Sequence, residues 1–145
     1  MTGRLSPRLA AVVDALPLWP EARVLEIGCG PGAAARAVAR RLTTGHVLAT
    51  DRSATAIEQA RSACAGEIAD GRLRLRQVAA EDLVLEPGEE PYDLVFAIRV
   101  GALDGRHPAA GEIALQRIAA VTTERARLFI DGGDPLRELA IPRRP

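Results

Sequence analysis

Short apolar runs alternate along the chain with longer segments patterned as helices. Residues 22–27 (ARVLEI) form an apolar run that ends in the glycine-dense turn GCGPG, which predicts a buried strand. A second strand is predicted over 46–50 (HVLAT) and a fourth over 92–98 (YDLVFAI). The fourth is apolar on both faces, as central parallel strands are. Residues 72–78 (RLRLRQV) alternate apolar side chains with arginine at period two, which predicts a third strand with one wet face at a sheet edge. Residues 126–131 (ARLFID) predict a fifth strand.

Helices are predicted between them. Ser6 is a good N-cap and Pro7 a good first residue for a helix over 7–16. The alanine-rich run from Gly32 to Leu42 has high helix propensity. Ser53 can cap a helix over 54–64, on which Ala56, Ile57, Ala60, Ala63 and Cys64 make one apolar stripe. His107-Pro108 opens a helix to about Val121, with Ile113, Leu115, Ile118 and Val121 expected to face inward. The 79–91 connection is polar, contains Pro87-Gly88 and holds at most one short helix. Such a βαβ series, with right-handed crossovers, predicts a mainly parallel sheet covered by helices on both faces.

Composition narrows the field. A chain of 145 residues suits one domain, 1–145, with residues 1–20 as a helical lead-in and 132–145 as a C-terminal arm ending in a frayed tail. Its 19 basic residues are all arginine and balance 19 acidic ones, which argues against nucleic acid as a partner. Four aromatic residues are too few for a base-stacking platform. The absence of lysine excludes Schiff-base and P-loop-lysine chemistry. No run of about 18 apolar residues predicts a membrane span, and the N-terminal stretch lacks a clean leader cleavage site. Cys29 and Cys64 stand 35 residues apart without metal-ligand spacing, so no metal and no disulfide are expected, and a reduced cytoplasmic setting is.

The stretch with chemistry in it is VLEIGCGPG, residues 24–32. A strand there runs into small residues that let a ligand approach the backbone, and the next helix offers free N–H groups. Gly28-x-Gly30-x-x-Ala33 satisfies a dinucleotide pattern, but Glu26 stands two residues before the first glycine. A carboxylate there repels a pyrophosphate and suits a ligand carrying an ammonium or sulfonium charge. The stretch resembles the first motif of class I S-adenosylmethionine-dependent methyltransferases.

The resemblance covers roughly residues 20–133. It implies a three-layer, Rossmann-like doubly wound α/β fold with S-adenosylmethionine as cofactor and S-adenosylhomocysteine as product. By the same pattern Glu26, Gly28, Cys29, Gly30 and Gly32 contact the cofactor, Asp51 binds its ribose and Arg52 flanks its adenine. VAAEDL, residues 78–83, stands where relatives often read GDAEDL. Ala79 replaces the residue that bonds the adenine amino group, leaving the Ala80 backbone and the Glu81 side chain to substitute. PYDLVF, residues 91–96, matches the fourth-strand motif, and Ala97 at that strand's end is a further expected cofactor contact.

The usual sheet of this class has seven strands. Only 14 residues follow Asp131, so the expected order is 3-2-1-4-5 without the strand 6/7 hairpin. Strand five is then an edge in need of cover. Either the tail around Leu136–Ile141 or a second subunit in a homodimer is expected to supply it.

Substrate chemistry is expected after strand four. Arg99 is a candidate clamp for an acidic substrate group, or else an ion-pair partner of Glu26 or Asp131. His107 is a candidate base, or else a plain helix-start residue. Asp104 reads as a turn residue, Asp93 as a structural hydrogen-bonding residue, and Asp131 as a pocket wall. The expected activity is methyl transfer to a small-molecule acceptor. The alternatives are a non-catalytic domain that binds S-adenosylmethionine or a partner, and an NAD(P)-binding Rossmann module.

Overall fold

The computed structural model describes residues 5–143; the first four residues and the end of the expected frayed tail, Arg144-Pro145, lie outside the described residues. Six strands form one sheet: β1 Arg23–Ile27, β2 His46–Asp51, β3 Leu73–Gln77, β4 Tyr92–Ala97, β5 Thr122–Asp131 and β6 Leu136–Leu139. Their order is β3-β2-β1-β4-β5-β6, parallel through β5 and antiparallel from β5 to β6. The helices are α1 Pro7–Ala15, α2 Ala33–Ala39, α3 Ala54–Ala63, α4 Ala65–Ala69 and α5 Pro108–Ala120, with a 3-10 turn at Ala80–Asp82. This is the expected α/β doubly wound architecture.

Period-two alternation sorts the strand residues into two cores. Val24, Val47, Ala49, Leu94 and Phe96 face Val13 of α1, Leu16 just after it, Val38 of α2 and Ile57 of α3. Leu25, Leu48, Val95, Leu128 and Ile130 face Ala114 and Ile118 of α5 and Leu83 beside the 3-10 turn. Both faces are buried because a helical layer covers each, which is why β1 and β4 are buried at every position but one.

Three details depart from the sequence pattern. Ile113, expected inward, is 50% exposed. α5 instead buries Gly111, Ala114 and Ile118, because a Cβ at Gly111 would lie 2.2 Å from the carbonyl oxygen of Ala102. β5 begins at Thr122, four residues early, where Thr122 pairs with Tyr92 across an irregularity in the ladder. The segment after α3 continues as the short helix α4 rather than running directly into β3. The β5 edge is covered by this chain's own tail, with Leu128 opposite Leu139 and Asp131 opposite Leu136. That contact removes the edge argument for a second subunit. Arg127 and Glu138 reinforce it with two hydrogen bonds of 3.0 and 2.8 Å.

At the amino ends of the strands, Glu89 gathers β3 and β4. Its carboxylate accepts from Arg74 at 3.2 Å, from Arg76 at 3.0 Å and from the Tyr92 hydroxyl, with its side chain 3% exposed. Burial alone would raise its pKa, but the bonds from Arg76 and Tyr92 outweigh it and hold the carboxyl at about 2, below its ordinary 4.5. A depressed carboxyl adds stability above the unfolded pKa and loses it as pH falls through the folded one. The melting-temperature advantage of the native chain over Glu89→Gln should therefore shrink as pH falls from about 4.5 to about 2. An advantage that stays constant over that range would refute the assignment.

Candidate active site

The parallel register brings the carboxyl ends of three strands to one edge. Ile27 of β1 lies opposite Thr50 of β2 and Ala97 of β4. β2 and β4 leave β1 on opposite sides, so a crevice opens there, where doubly wound sheets take ligands.

The turn after β1 is built from left-handed glycines and braced by β2. Gly28 and Gly30 have φ of +72° and +53°. A Cβ on Gly28 would lie 2.6 Å from Val100 Cγ2, whereas one on Gly30 would meet nothing within 4 Å. Gly28 is thus small for packing, and Gly30 leaves open the space a ligand needs. The Cys29 N–H donates to the Thr50 carbonyl at 2.8 Å and the Gly30 N–H to Asp51 Oδ2 at 2.9 Å. The other Asp51 oxygen accepts from the Ser53 N–H at 2.9 Å.

Two cavities adjoin this turn. The larger, about 750 Å³, is bordered by Asp51, Arg52, Ala80 and Glu81 on one side and by Arg99, Arg106 and His107 on the other. The smaller, about 340 Å³, is bordered by Glu26, Cys29 and Gly30 and by Ser6, Arg8 and Leu9 of the α1 region. Gly28 and Arg99 border both. Among the predicted cofactor residues, Glu26, Gly28, Cys29, Gly30, Asp51, Arg52, Ala80 and Glu81 therefore share one crevice. Gly32 and Ala97 do not border either cavity. Gly32 packs instead against α3, where a Cβ would lie 2.9 Å from Cys64 Sγ, and Ala97 is buried in the second core.

Glu26 is the electrostatic anomaly. It is 2% exposed, and its Oε1 has no hydrogen-bond partner. Burial first, then the charge of Asp51, raises its pKa to about 8, against the opposing Ala35 N–H. Leaving an ionised carboxylate unpaired in such a place costs on the order of several kcal/mol, so the group holds its proton instead. Burial also drives the Cys29 thiol well above its ordinary range, with Glu26 and Asp51 adding to the effect. A thiol so protonated is no nucleophile. It donates to its neighbour's carbonyl, Gly30 O, at 3.4 Å and fills the turn.

After β4, the backbone of Arg99 rather than its guanidinium meets Asp131. The N–H donates to Oδ1 at 3.0 Å, while the ion pair of Asp131 is with Arg8, at 3.1 Å. Arg99 has φ of +59°, a left-handed conformation that costs a non-glycine residue roughly 1–2 kcal/mol. Its guanidinium forms no ion pair among the described residues. Asp131, expected as a pocket wall, stands behind Arg99 and borders neither cavity. His107 is the exposed N-cap of α5, bonded through its N–H to Gly101 O at 3.1 Å. Asp104 accepts from the N–H and Nε of Arg106, as a turn residue does. Asp93 accepts from the Arg23 N–H at the far end of the sheet. Ser6, which caps α1, and Arg8 and Leu9 in its first turn are site residues that sequence reasoning missed, as is Arg106. Ser6-Pro7 marked where that helix starts, but only its packing against α2 brings it to the crevice.

Among the described residues no cluster of three or more His, Cys, Asp or Glu could hold a metal ion, and no helix is long and apolar enough to cross a membrane. The fold and the braced glycine turn define a class I methyltransferase domain built for S-adenosylmethionine. Comparison with known proteins agrees: a family model described as a methyltransferase domain matches residues 24–125, and the chain belongs to that family. The chain is 39% identical over 89 residues to a trans-aconitate 2-methyltransferase of Streptomyces avermitilis, spanning 61% of this chain and 32% of that protein. It thus spans about a third of the length of the curated relatives it matches. Two solved structures share the fold. A TehB-like SAM-dependent methyltransferase from Corynebacterium glutamicum superposes with a TM-score of 0.63 at 20% identity, over 91% of this chain and 66% of that one. Coclaurine N-methyltransferase bound to N-methylheliamine and SAH gives 0.67 at 20% identity, over 84% of this chain and 34% of that one.

The pH sign of Glu26 follows from its raised pKa. The unfolded chain loses this proton near 4.5 and the folded chain near 8, so rising pH disfavours folding across that window. Glu26→Gln, which cannot ionise, should gain melting temperature relative to the native chain as pH rises from 4.5 to about 8. A pH-independent difference would show that Glu26 ionises as an ordinary surface carboxylate.

Proposed function

We propose that this domain binds S-adenosylmethionine across the two adjoining cavities and transfers its methyl group to a carboxylate oxygen of a small organic acid. The observation that carries the cofactor half is the unpaired, buried Glu26 oxygen beside a glycine turn with open space at Gly30. A cationic ligand there supplies the counter-charge that the chain itself lacks. Glu26 and the Gly28–Gly30 backbone would hold the amino-acid end. Asp51 would take the ribose hydroxyls, and Arg52, Ala80 and Glu81 would surround the base. When bound, S-adenosylmethionine supplies the methyl group as an electrophile on sulfur and leaves as S-adenosylhomocysteine.

Three observations favour a carboxylic acid as acceptor. Arg99 borders both cavities and its guanidinium has no ion-pair partner among the described residues, whereas Arg106 beside it is held by Asp104. The relative in Streptomyces avermitilis is named for a tricarboxylic acid. A carboxylate is already anionic at neutral pH, so the chain has no proton to remove and need only orient the oxygen. This reading makes His107 a cavity wall rather than a required base. The two buried free thiols suit a reducing, cytoplasmic setting. A homodimer, if formed, would use β6, now the outermost strand.

Calorimetry tests the cofactor half. At pH 7 the native chain should release a proton on binding S-adenosylmethionine, because the ligand's positive charge ionises Glu26, and Glu26→Gln should release none. Asp51→Ala should weaken binding by about tenfold or more, with the ribose hydroxyls and the Gly30 N–H both losing their acceptor. NAD should not bind. Unchanged affinity in Asp51→Ala would end the ribose assignment. Methylation of trans-aconitate and simpler di- and tricarboxylates, followed by mass spectrometry, tests the acceptor class. Methylation of neutral or basic acceptors alone would refute it.

A further inference from the structure

Both backbone polar groups of Arg99 are committed. Its N–H donates to Asp131 Oδ1 at 3.0 Å, and its carbonyl accepts from Arg106 Nη2 at 3.2 Å. Between these bonds φ is +59°, a conformation that a side-chain-bearing residue keeps only when its surroundings impose it. Each partner is fixed in turn. Arg106 Nε lies 3.0 and 2.9 Å from the two oxygens of Asp104. Asp131 ends β5, has its side chain 11% exposed, and takes Arg8 of α1 on its other oxygen. Glycine would adopt this φ without strain. That the position holds arginine, a residue that borders both cavities and whose guanidinium is in no ion pair among the described residues, points to a use for the side chain.

We propose that Asp131 is a positioning residue for the acceptor. By accepting the Arg99 N–H it keeps Arg99 left-handed, and φ fixes the direction in which the Cα–Cβ bond leaves the backbone. The guanidinium is thereby preset at the cavity junction, where it receives the acceptor's second carboxylate. Preorganisation of this kind lowers the ordering cost of binding. The same carboxylate pairs with Arg8, but that side chain is 57% exposed and the pair adds little, so the α1 wall does not depend on it. The inference rests on the proposed carboxylic-acid acceptor, and Asp131 touches neither ligand.

Steady-state kinetics with trans-aconitate, at saturating S-adenosylmethionine, separates positioning from general support. Asp131→Ala should raise the acceptor KM by about tenfold with little change in kcat, because what is lost is ground-state and transition-state binding alike. The Kd for S-adenosylhomocysteine in calorimetry should stay within about twofold. Asp131→Asn, which keeps an oxygen for the Arg99 N–H, should recover most of the loss. In an Arg99→Ala background, Asp131→Ala should add nothing further. An undiminished effect in that background, or an equal loss of S-adenosylhomocysteine affinity, would overturn the proposal. If the native chain does not methylate trans-aconitate or another carboxylic acid, the acceptor class fails, and the crystal structure of Asp131→Ala decides the clamp by itself. Arg99 leaving the left-handed region supports it, and Arg99 staying there overturns it.

Discussion

The carboxyl edge of the sheet depends on the Asp51 carboxylate holding a turn that cannot hold itself. Gly28, Gly30 and Gly32 all stand at positive φ, and Gly32 caps α2 without a side-chain hydrogen bond. Glycines lose the most conformational freedom on folding, so such a turn needs an external template. β2 is that template. Register places Thr50 beside Ile27, its carbonyl takes the Cys29 N–H, and Asp51 one residue on takes the Gly30 N–H. The second Asp51 oxygen accepts at the start of α3, so the ends of β1 and β2 are fixed by one group.

The other side of the crevice repeats the device with a different carboxylate. Asp131, at the end of β5, accepts a backbone N–H from the loop after β4 as Asp51 does from the loop after β1. The two strands flanking the crevice therefore each have their exit loop fixed by the strand next outward in the sheet. The β6 tail belongs to this arrangement. Pairing of Leu136 with Asp131 fixes the end of β5, and through it the position of Arg99. A segment that covers an edge thus also steadies the site.

The strands were legible because burial on both faces writes itself as apolar runs, and the glycine turn because its backbone angles demand particular residues. The placing of Glu26, Gly28 and Asp51 together at one crevice was legible for the same reason, since they lie at fixed offsets from strand ends. What could not be read were contacts between residues distant in sequence. Nothing around Ile113 indicates that Gly111 must approach Ala102, which rotates α5 and turns Ile113 outward. The partner of Asp131 was open to Arg99 by proximity, yet Arg8, 123 residues away in sequence, takes it. The left-handed φ of Arg99 has no local signal: arginine rarely adopts it, and its N–H is bonded to Asp131 at the end of β5 and its carbonyl to Arg106 further along the same loop.

Glu26 gives the physical reason for combining these parts. Alone, the domain buries a carboxyl within range of a second acidic group, Asp51, and gives Oε1 no partner. Local rules are broken in this way where function takes precedence over stability. Replacing the pair by apolar residues would remove the burden, but it would also remove the contrast that selects a ligand. A site whose empty form favours a neutral Glu26 and whose occupied form favours an ionised one discriminates by charge. A pyrophosphate would meet Asp51 and a group resisting ionisation, whereas a cationic ligand supplies the missing counter-ion and releases the strain. The larger cavity is bordered by Arg99, whose guanidinium has no ion-pair partner among the described residues, and by Arg106, which is paired with Asp104. Asp51, Glu81 and Arg52 border this cavity together with Arg99, so it offers partners of both signs. On the proposed reading a cationic donor meets Glu26 and an anionic acceptor meets Arg99, at the junction that Gly28 and Arg99 both border.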